Sequence, residues 1–182
     1  MLAQADIHVN KKDLNHLTDV YGLLDDQAEA AAYRAIRKTA NWMKVIASRE
    51  ISKEMKLAQK VVRQRLKVFM QDRQALQAKI WLGLYSIRAS QLANTMSQTR
   101  TGTTVGRHRF PGAFVATMKT GHRDVYKRRG QARLPIDIQQ LDISDKARKV
   151  LLDVSRRTDR RLMEVLHQEL NYELQKVVSN AH

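Results

Sequence analysis

Prolines and glycines concentrate in one part of this chain, and that clustering constrains the fold more than any other feature. Both prolines and four of the seven glycines lie between Gly106 and Pro135, where they disfavour helix. Residues 113–118 carry aromatic and β-branched side chains, a polar turn follows, and residues 123–128 alternate charged and apolar side chains. A further extended piece is predicted at 134–140, because proline disfavours helix in the residue before it. An antiparallel sheet is the expected outcome.

Apolar side chains at three- and four-residue spacing predict helices on both sides of this stretch. The predicted helices span residues 25–49, 57–69 and 144–178. The apolar stripe of the first is mostly alanine, which allows close backbone approach. Residues 78–88 alternate with period two and predict a strand with apolar side chains on both faces. The predicted class is α+β, with long N-terminal and C-terminal helices packed on a small antiparallel β-sheet.

The organisation predicted from the sequence is one domain with an N-terminal arm. A chain of 182 residues fits a single domain, assigned to residues 23–182. Residues 1–22 mix polar and apolar side chains and are predicted to be an arm or a short helix. Residues 91–106 are rich in threonine and serine and contain two glycines. That composition predicts an extended flexible loop that becomes ordered only against a partner.

The charge of the chain is unevenly distributed. It carries 33 Lys and Arg against 18 Asp and Glu, which gives a net charge of +15. Residues 1–33 are acidic, whereas residues 34–79 hold thirteen basic and three acidic side chains. Residues 100–133 hold nine basic side chains and Asp124 as their one acid. A polyanion or an acidic protein surface is therefore the expected neighbour.

The basic residues of the glycine-rich stretch are the leading candidates for binding. They can neutralise phosphates without reading bases, or pair with carboxylates on an adjacent protein, because the guanidinium group matches both anions. The sequence leaves both readings open. The candidate contacts to DNA or to an adjacent protein are Arg107, Arg109, Arg123, Lys127, Arg128, Arg129 and Arg133. A secondary basic face is predicted at Lys56, Lys60, Arg63 and Lys67.

Subunit contacts are predicted from apolar side chains that one domain does not need for its own core. A helix over residues 144–178 would be about 50 Å long, since each residue rises 1.5 Å. That length exceeds what a domain of this size requires, so part of the helix should pack on another chain. The candidate subunit interface is Trp81, Tyr85, Met163, Leu166 and Leu170.

The sequence offers no catalytic, metal or cofactor site. The six histidines are scattered, and no pair has the His-x-x-x-His spacing of a zinc site. Cysteine is absent, which excludes disulfides and thiolate chemistry. No Gly-x-Ser-x-Gly elbow, phosphate loop or dinucleotide fingerprint occurs. There is also no apolar run of about 18 residues, so no membrane segment is expected.

The order of short motifs in the glycine-rich stretch resembles a known family. The chain is similar to the minor tail protein Z family of long-tailed, lambda-type bacteriophages over roughly residues 26–178. The alanine-rich first helix, the basic segment 53–67 and the long C-terminal helix occur in matching order. The motifs that carry the resemblance are Pro111-Gly-Ala-Phe, the Lys119-x-Gly turn, the basic strand with Val125-Tyr126, and Leu134-Pro-Ile-Asp.

The resemblance implies a role in the virion. Members of the family are placed where the tail meets the head, which implies a minor tail or tail-completion protein that forms a ring at the neck. Six copies are expected by analogy, with tail terminator and head-completion proteins as neighbours. The terminal genomic DNA is a further candidate partner. Synthesis in the host cytoplasm is expected, and the family brings no catalytic motif.

Two alternatives remain at the level of sequence. The first is a free nucleic-acid-binding protein that contacts duplex backbone through residues 53–73 as a monomer or dimer. The second is an assembly chaperone that is absent from the mature particle. Solution mass and salt response separate the first from a ring-forming neck protein, because phosphate binding weakens steeply with salt. Finding the chain in purified virions would remove the second.

Overall fold

The computed structural model describes residues 1–180, and it confirms the α+β class. The predicted domain boundary at residue 182 therefore extends two residues beyond the described part. The helices are α1 Lys11–Tyr21, α2 Asp25–Met55, α3 Gln59–Arg65, α4 Ser144–Ser155 and α5 Thr158–Asn180, with short 3-10 turns at Arg73–Ala75 and Ala89–Gln91. The strands are β1 Leu2–His8, β2 Leu66–Met70, β3 Gln77–Gly83, β4 Ile87–Arg88, β5 Met96–Thr99, β6 Gly102–Val105, β7 His108–Pro111, β8 Ala113–Thr117, β9 Arg123–Arg128, β10 Ile136–Ile138 and β11 Gln140–Leu141.

Helix α2 is the centre of the molecule. It packs against α4 and α5 and against the sheet formed by β1, β3 and β2. Ala31, Ala32 and Ala35 are fully buried, so the thin alanine stripe lets neighbouring elements approach the helix axis closely. The helix continues past the predicted end at residue 49, because Ile51 and Met55 extend its buried face.

A network of ion pairs ties α2 to α5. Arg34 contacts Glu169 at 2.6 Å and Glu173 at 2.7 Å, and Lys38 contacts Glu169 at 2.5 Å. Both carboxylates are 5% exposed. Burial of Glu169 opposes its ionisation, but the hydrogen bonds from Arg34 and Lys38 outweigh that effect and hold the pKa of Glu169 below its ordinary value.

The N-terminal residues form part of the core rather than an arm. Strand β1 pairs antiparallel with β3, and its Ala3, Ala5 and Ile7 point inward while the intervening side chains are exposed. Gly22 then ends α1 in the left-handed conformation, with φ 61°. Residues 1–22, predicted to be an arm or a short helix, are thus a strand followed by a helix. The strand forms because its small apolar residues alternate with period two.

The threonine-rich segment at 91–106 also differs from the predicted flexible loop. It contains strands β5 and β6, which pair with each other, and β6 also pairs with β7 to give a three-stranded sheet. Val105 and Phe110 are buried and supply the apolar contacts that the threonines lack. Thr103 is buried as well, and its Oγ1 donates to the carbonyl of Ala113 at 3.0 Å.

Four further predicted elements are each divided into two in the structure. The predicted helix 57–69 ends at Arg65 and continues as strand β2, and the predicted strand 78–88 is split into β3 and β4. The predicted helix 144–178 is interrupted at Arg156 and Arg157, which separate α4 from α5. The predicted 134–140 strand becomes β10 and β11, whereas β8 and β9 lie where 113–118 and 123–128 were predicted.

Asp124 joins the β8–β9 hairpin to the rest of the fold. Its fully buried carboxylate accepts hydrogen bonds from the backbone N–H of Ser90 at 3.0 Å, from Ser90 Oγ at 2.9 Å and from the N–H of Val125 at 2.8 Å. Gln139 N–H donates to the carbonyl of Val125 at 2.8 Å beside it. The one acid of the basic segment is therefore structural.

Replacing Asp124 should destabilise this junction. Asp124→Ala leaves the Ser90 and Val125 donors buried without an acceptor, and we expect a loss of about 3 kcal/mol in unfolding free energy. Asp124→Asn keeps one carbonyl oxygen for the two backbone donors and should lose about 1 kcal/mol. Denaturant unfolding at pH 7 measures both. Equal losses for the two variants would contradict the assigned role of the acceptor oxygens.

Candidate functional site

The β6–β7 hairpin presents two of the predicted basic contacts at its turn. Gly106 has φ 58°, a left-handed conformation that glycine adopts without strain, and Arg107 follows it in the turn. Arg109 lies on β7 and donates from Nη2 to Thr101 Oγ1 at 2.8 Å. Both guanidinium groups are exposed, and neither forms an ion pair within the described part of the chain.

Strand β9 carries two more candidates on one face. Alternation places Arg123 and Lys127 on the same side, and their partners across the ladder are Thr117 and Ala113. Both basic side chains are exposed and lack a carboxylate partner among residues 1–180. Arg133 is exposed in the loop after β9.

The remaining two arginines are used within the chain itself. Arg129 forms a bidentate pair with Asp137, at 2.8 and 2.9 Å, and this hydrogen bonding raises the pKa of Arg129 and lowers that of Asp137. Arg128 donates from Nη1 to the carbonyl of Arg133 at 2.6 Å and lies over the Phe114 ring. These two residues hold the β9–β10 loop, which makes them poorer candidates for an external anion.

The structure brings together two basic segments that are distant in sequence. A cleft of about 280 Å³ is lined by residues from the end of α2 and from the β6–β7 turn. Lys56, the left-handed cap of α2 with φ 52°, lines this cleft together with Arg107. The Ser52 Oγ in the same lining is buried and has no hydrogen-bond partner in the described structure. The complete lining is Ser52, Lys56, Leu57, Ala58, Leu92, Gly106 and Arg107.

The rest of the secondary basic face is divided. Lys60 and Arg63 are exposed on α3, whereas Lys67 lies on strand β2 and is presented by the sheet. The sequence placed all of them on one helix, and the change from helix to strand after Arg65 separates them. The single basic face predicted for the helix 57–69 therefore does not form.

The candidate subunit interface is also divided by the fold. Leu166 and Leu170 are 1% and 0% exposed in the core of the molecule, so they leave the candidate interface. Met163 remains exposed on α5. Trp81 and Tyr85 lie on the side of the β1–β3–β2 sheet that faces away from α2 and are 37% and 61% exposed.

Arg65 is a feature of this sheet face that the sequence did not reveal. Its guanidinium carbon lies 4.1 Å from the centre of the Tyr85 ring, and Nη1 donates to the Tyr85 carbonyl at 2.7 Å. Burial lowers the pKa of Arg65. These contacts fix an exposed tyrosine in place, and only the tertiary pairing of β2 with β3 creates them.

Side-chain groups that could bind a metal ion are absent from the described part of the chain. Within residues 1–180, no three His, Asp or Glu side chains come close enough to hold a metal ion. None of the helices in that range is long and apolar enough to cross a membrane. His182, one of the scattered histidines, lies outside the described residues.

Comparison with known proteins points to one family. The family model described as Prophage minor tail protein Z (GPZ) matches residues 11–180. A tail completion protein of Escherichia phage N15 is 26% identical over 125 residues, which cover 63% of this chain and 67% of that protein. No solved structure matches the chain. Because the family model spans nearly the whole sequence, the chain belongs to the prophage minor tail protein Z family.

Proposed function

We propose that this protein completes the phage tail by closing into a ring at the neck, where it helps to join the tail to the DNA-filled head. Family membership supports a place in the tail, and the related protein of phage N15 bears the name tail completion protein. The proposed role is structural and needs no catalysis. The ring is proposed to contain six copies, by analogy with the symmetry of tails.

The observation that carries the proposal is the basic surface without internal partners. Arg107, Arg109, Arg123 and Lys127 are exposed and form no ion pair within residues 1–180. The Lys56 and Arg107 side chains line one cleft although they come from different basic segments. Repeating a chain of net charge +15 around a ring concentrates positive charge strongly. Such a ring is stable only with anions beside it, and the neck of a filled head offers DNA phosphates and protein carboxylates.

The proposed partners follow from this position. Other copies of the chain close the ring, a tail terminator protein lies on one side and a head-completion protein on the other. The end of the genomic DNA is the proposed phosphate partner. Made in the host cytoplasm, the protein would end up in the virion at the head–tail junction.

In vitro joining tests the proposal directly. Tails assembled without this protein should fail to join filled heads, and adding the purified chain should restore joined particles visible by electron microscopy. Light scattering coupled to gel filtration gives the mass of the free chain across protein concentration and salt. A ring-sized species, or a monomer that closes into a ring on tails, supports the proposal. A stable dimer that binds short duplexes at physiological salt, without any effect on joining, would replace it with a free nucleic-acid-binding protein.

Neutralising the cleft should impair joining. The double variant Lys56→Gln with Arg107→Gln removes two positive charges that line the same cleft, and we expect at least a tenfold lower yield of joined particles. The matched control is Arg148→Gln with Lys149→Gln, which removes the same charge from the exposed surface of α4 and should leave the yield unchanged. Equal yields from the two double variants would contradict a role for the cleft.

The same pair of variants distinguishes phosphate from carboxylate as the anion in the cleft. Each phosphate contact contributes roughly 0.9 to the slope of log affinity against log salt for duplex DNA. If the cleft binds phosphate, its double variant should lower that slope by about 2 relative to the control. If the slope is unchanged while joining fails, the cleft binds protein carboxylates.

A further inference from the structure

The outer face of the β1–β3–β2 sheet is an exposed apolar surface with basic side chains around it. Residues directly opposite one another share a face of an antiparallel sheet, and Trp81 is opposite both Gln4 and Lys67. The Phe69 and Trp81 rings lie 4.6 Å apart, centre to centre. Phe69 and Trp81 are 45% and 37% exposed, so the two rings form an apolar patch that faces solvent.

The charge of this face is positive. Lys67 and Lys79 accompany the two rings, and Arg65 lies over the nearby Tyr85. Among the outward residues of the three described strands, Asp6 is the one carboxylate. We define the outer face as Leu2, Gln4, Asp6, Arg65, Lys67, Phe69, Lys79, Trp81 and Tyr85.

The chain also carries a surface with the opposite character. Residues 13–33 contain five carboxylates and neither lysine nor arginine, in a protein of net charge +15. At the turn from α1 to α2, Val20 and Leu24 are 67% and 71% exposed. Arg73 reaches this turn and donates from Nη2 to the carbonyl oxygen of Asp26, not to its carboxylate. We define the acidic corner as Asp19, Val20, Leu24, Asp25 and Asp26.

We propose that the acidic corner of one copy docks on the outer face of the next, which is the contact that closes the ring. Val20 and Leu24 would cover the Trp81–Phe69 pair, while the surrounding carboxylates meet Lys67 and Lys79. The two surfaces are different, so the contact is heterologous and a pair of bound copies still offers one free corner and one free outer face. A head-to-tail contact of this kind generates a ring when its rotation closes. This inference rests on the proposed ring and names the residues that form the contact between its copies.

The two surfaces do not satisfy one another within a chain. Helix α2 begins at the corner and then runs behind the sheet, on the side opposite the outer face. In residues 1–180, no hydrogen bond or ion pair joins a corner side chain to an outer-face side chain. Their complementary charge and apolar character are therefore available to a second copy.

Cysteine crosslinking tests the contact, and the chain suits it because it contains no cysteine of its own. Gln4→Cys places a thiol beside Trp81, and Val20→Cys places one at the corner. When the two single variants are mixed and oxidised on tails that lack the protein, we expect a disulfide-linked heterodimer. Either variant alone should give at least tenfold less dimer. Lys119→Cys, in the β8–β9 turn, is the control and should crosslink with neither.

Charge reversal provides the second test. One variant, Lys67→Glu with Lys79→Glu, reverses the charge of the outer face. The other, Asp19→Lys with Asp25→Lys, reverses the charge of the corner. Each variant alone should need at least a tenfold higher protein concentration to assemble. Mixed together, the two variants have opposite charges at both contacts, because the acidic corner meets the lysine outer face and the lysine corner meets the glutamate outer face. We therefore expect the mixture to assemble at close to the wild-type concentration, with the two variants alternating. Circular dichroism checks that each variant is folded.

The outcomes separate this inference from the proposed function. Wild-type rings together with unaffected assembly of both charge variants would overturn the assigned surfaces and leave the ring intact. Crosslinks between two Gln4→Cys copies, in place of heterodimers, would show a symmetric contact and also overturn the inference. A wild-type chain that stays monomeric with and without tails would overturn both the contact and the ring.

Discussion

Replacing Arg34 with methionine should cost about 3 kcal/mol of unfolding free energy at pH 7. The substitution keeps the length of the side chain but removes the cation that lies between the buried carboxylates of Glu169 and Glu173. Lys38 can still pair with Glu169, whereas Glu173 is left with Lys176 at 3.9 Å. A buried carboxylate that loses its partner carries the full penalty of desolvation. Chemical denaturation measures the loss.

The pH dependence of this effect has a defined sign. Because the pKa of Glu169 is depressed in the folded protein, its ion pairs stabilise the fold above the unfolded pKa, and that contribution is lost as the pH falls through the folded pKa. The difference between Arg34→Met and wild type should therefore shrink below about pH 4. Arg157→Met is the matched control, since its pair with Glu50 at 2.7 Å is exposed and should contribute less than about 1 kcal/mol. If Arg34→Met lost as much unfolding free energy below pH 4 as it does at pH 7, the electrostatic explanation would be contradicted.

Replacing Gly102 with alanine should disrupt the β5–β6–β7 sheet. The residue has φ 147°, and an added Cβ would lie 2.4 Å from the carbonyl oxygen of Phe110 and 3.0 Å from the backbone nitrogen of Gly112. Both contacts are with backbone, which cannot move aside as a flexible side chain could. We expect a loss of about 3 kcal/mol and faster amide exchange throughout that sheet.

Gly130→Ala is the control for this prediction. A Cβ at Gly130 meets nothing within 4 Å, so the unfolding free energy of the Gly130→Ala variant should differ from wild type by less than about 0.5 kcal/mol. Since the β6–β7 turn carries Arg107, Gly102→Ala should also reduce joining in vitro. Normal exchange protection of β5, β6 and β7 in the Gly102 variant would contradict the backbone clash.

Local patterns in the sequence predicted the elements whose own side chains determine them. The alanine stripe of α2 and the aromatic and β-branched residues of β8 and β9 are signals of this kind. The α+β class followed from them. Helix α2 nonetheless runs beyond the predicted end at residue 49, because Ile51 and Met55 find partners in the core that sequence spacing does not identify.

The elements that were predicted wrongly depend on partners distant in sequence. Strand β1 has alternating small side chains that gain their burial from pairing with β3. The threonines of β5 and β6 have the β-branched side chains that strands favour, but their polarity indicated a loop. The burial of Val105 and Phe110 beside them stabilises the strands, and it depends on tertiary pairing. The apolar spacing of residues 57–69 fitted a helix throughout, although the pairing of β2 with β3 takes over after Arg65.

The candidate site was predictable by residue type and not by arrangement. The high density of arginine identified the basic surface, but sequence alone could not tell that Arg129 is neutralised by Asp137. Nor could it tell that Lys56 and Arg107 line the same cleft. The burial of Leu166 and Leu170 depends on which side of α5 meets α2, and an apolar stripe by itself does not specify whether its partner is the same chain or another.

The strand order β1–β3–β2 also has a consequence for how a newly made chain folds. The central strand is the last of the three to be synthesised. The hydrogen bonds between β1 and β3 can therefore be completed only after Gly83, the partner of Leu2, has been made. Strand β2 has the same partner, so it too lacks a ladder until β3 has emerged. Helix α2 has only local hydrogen bonds and can form earlier. We therefore expect the sheet to be the slow step of folding, with β1 exposed as an unpaired edge on the ribosome in the meantime.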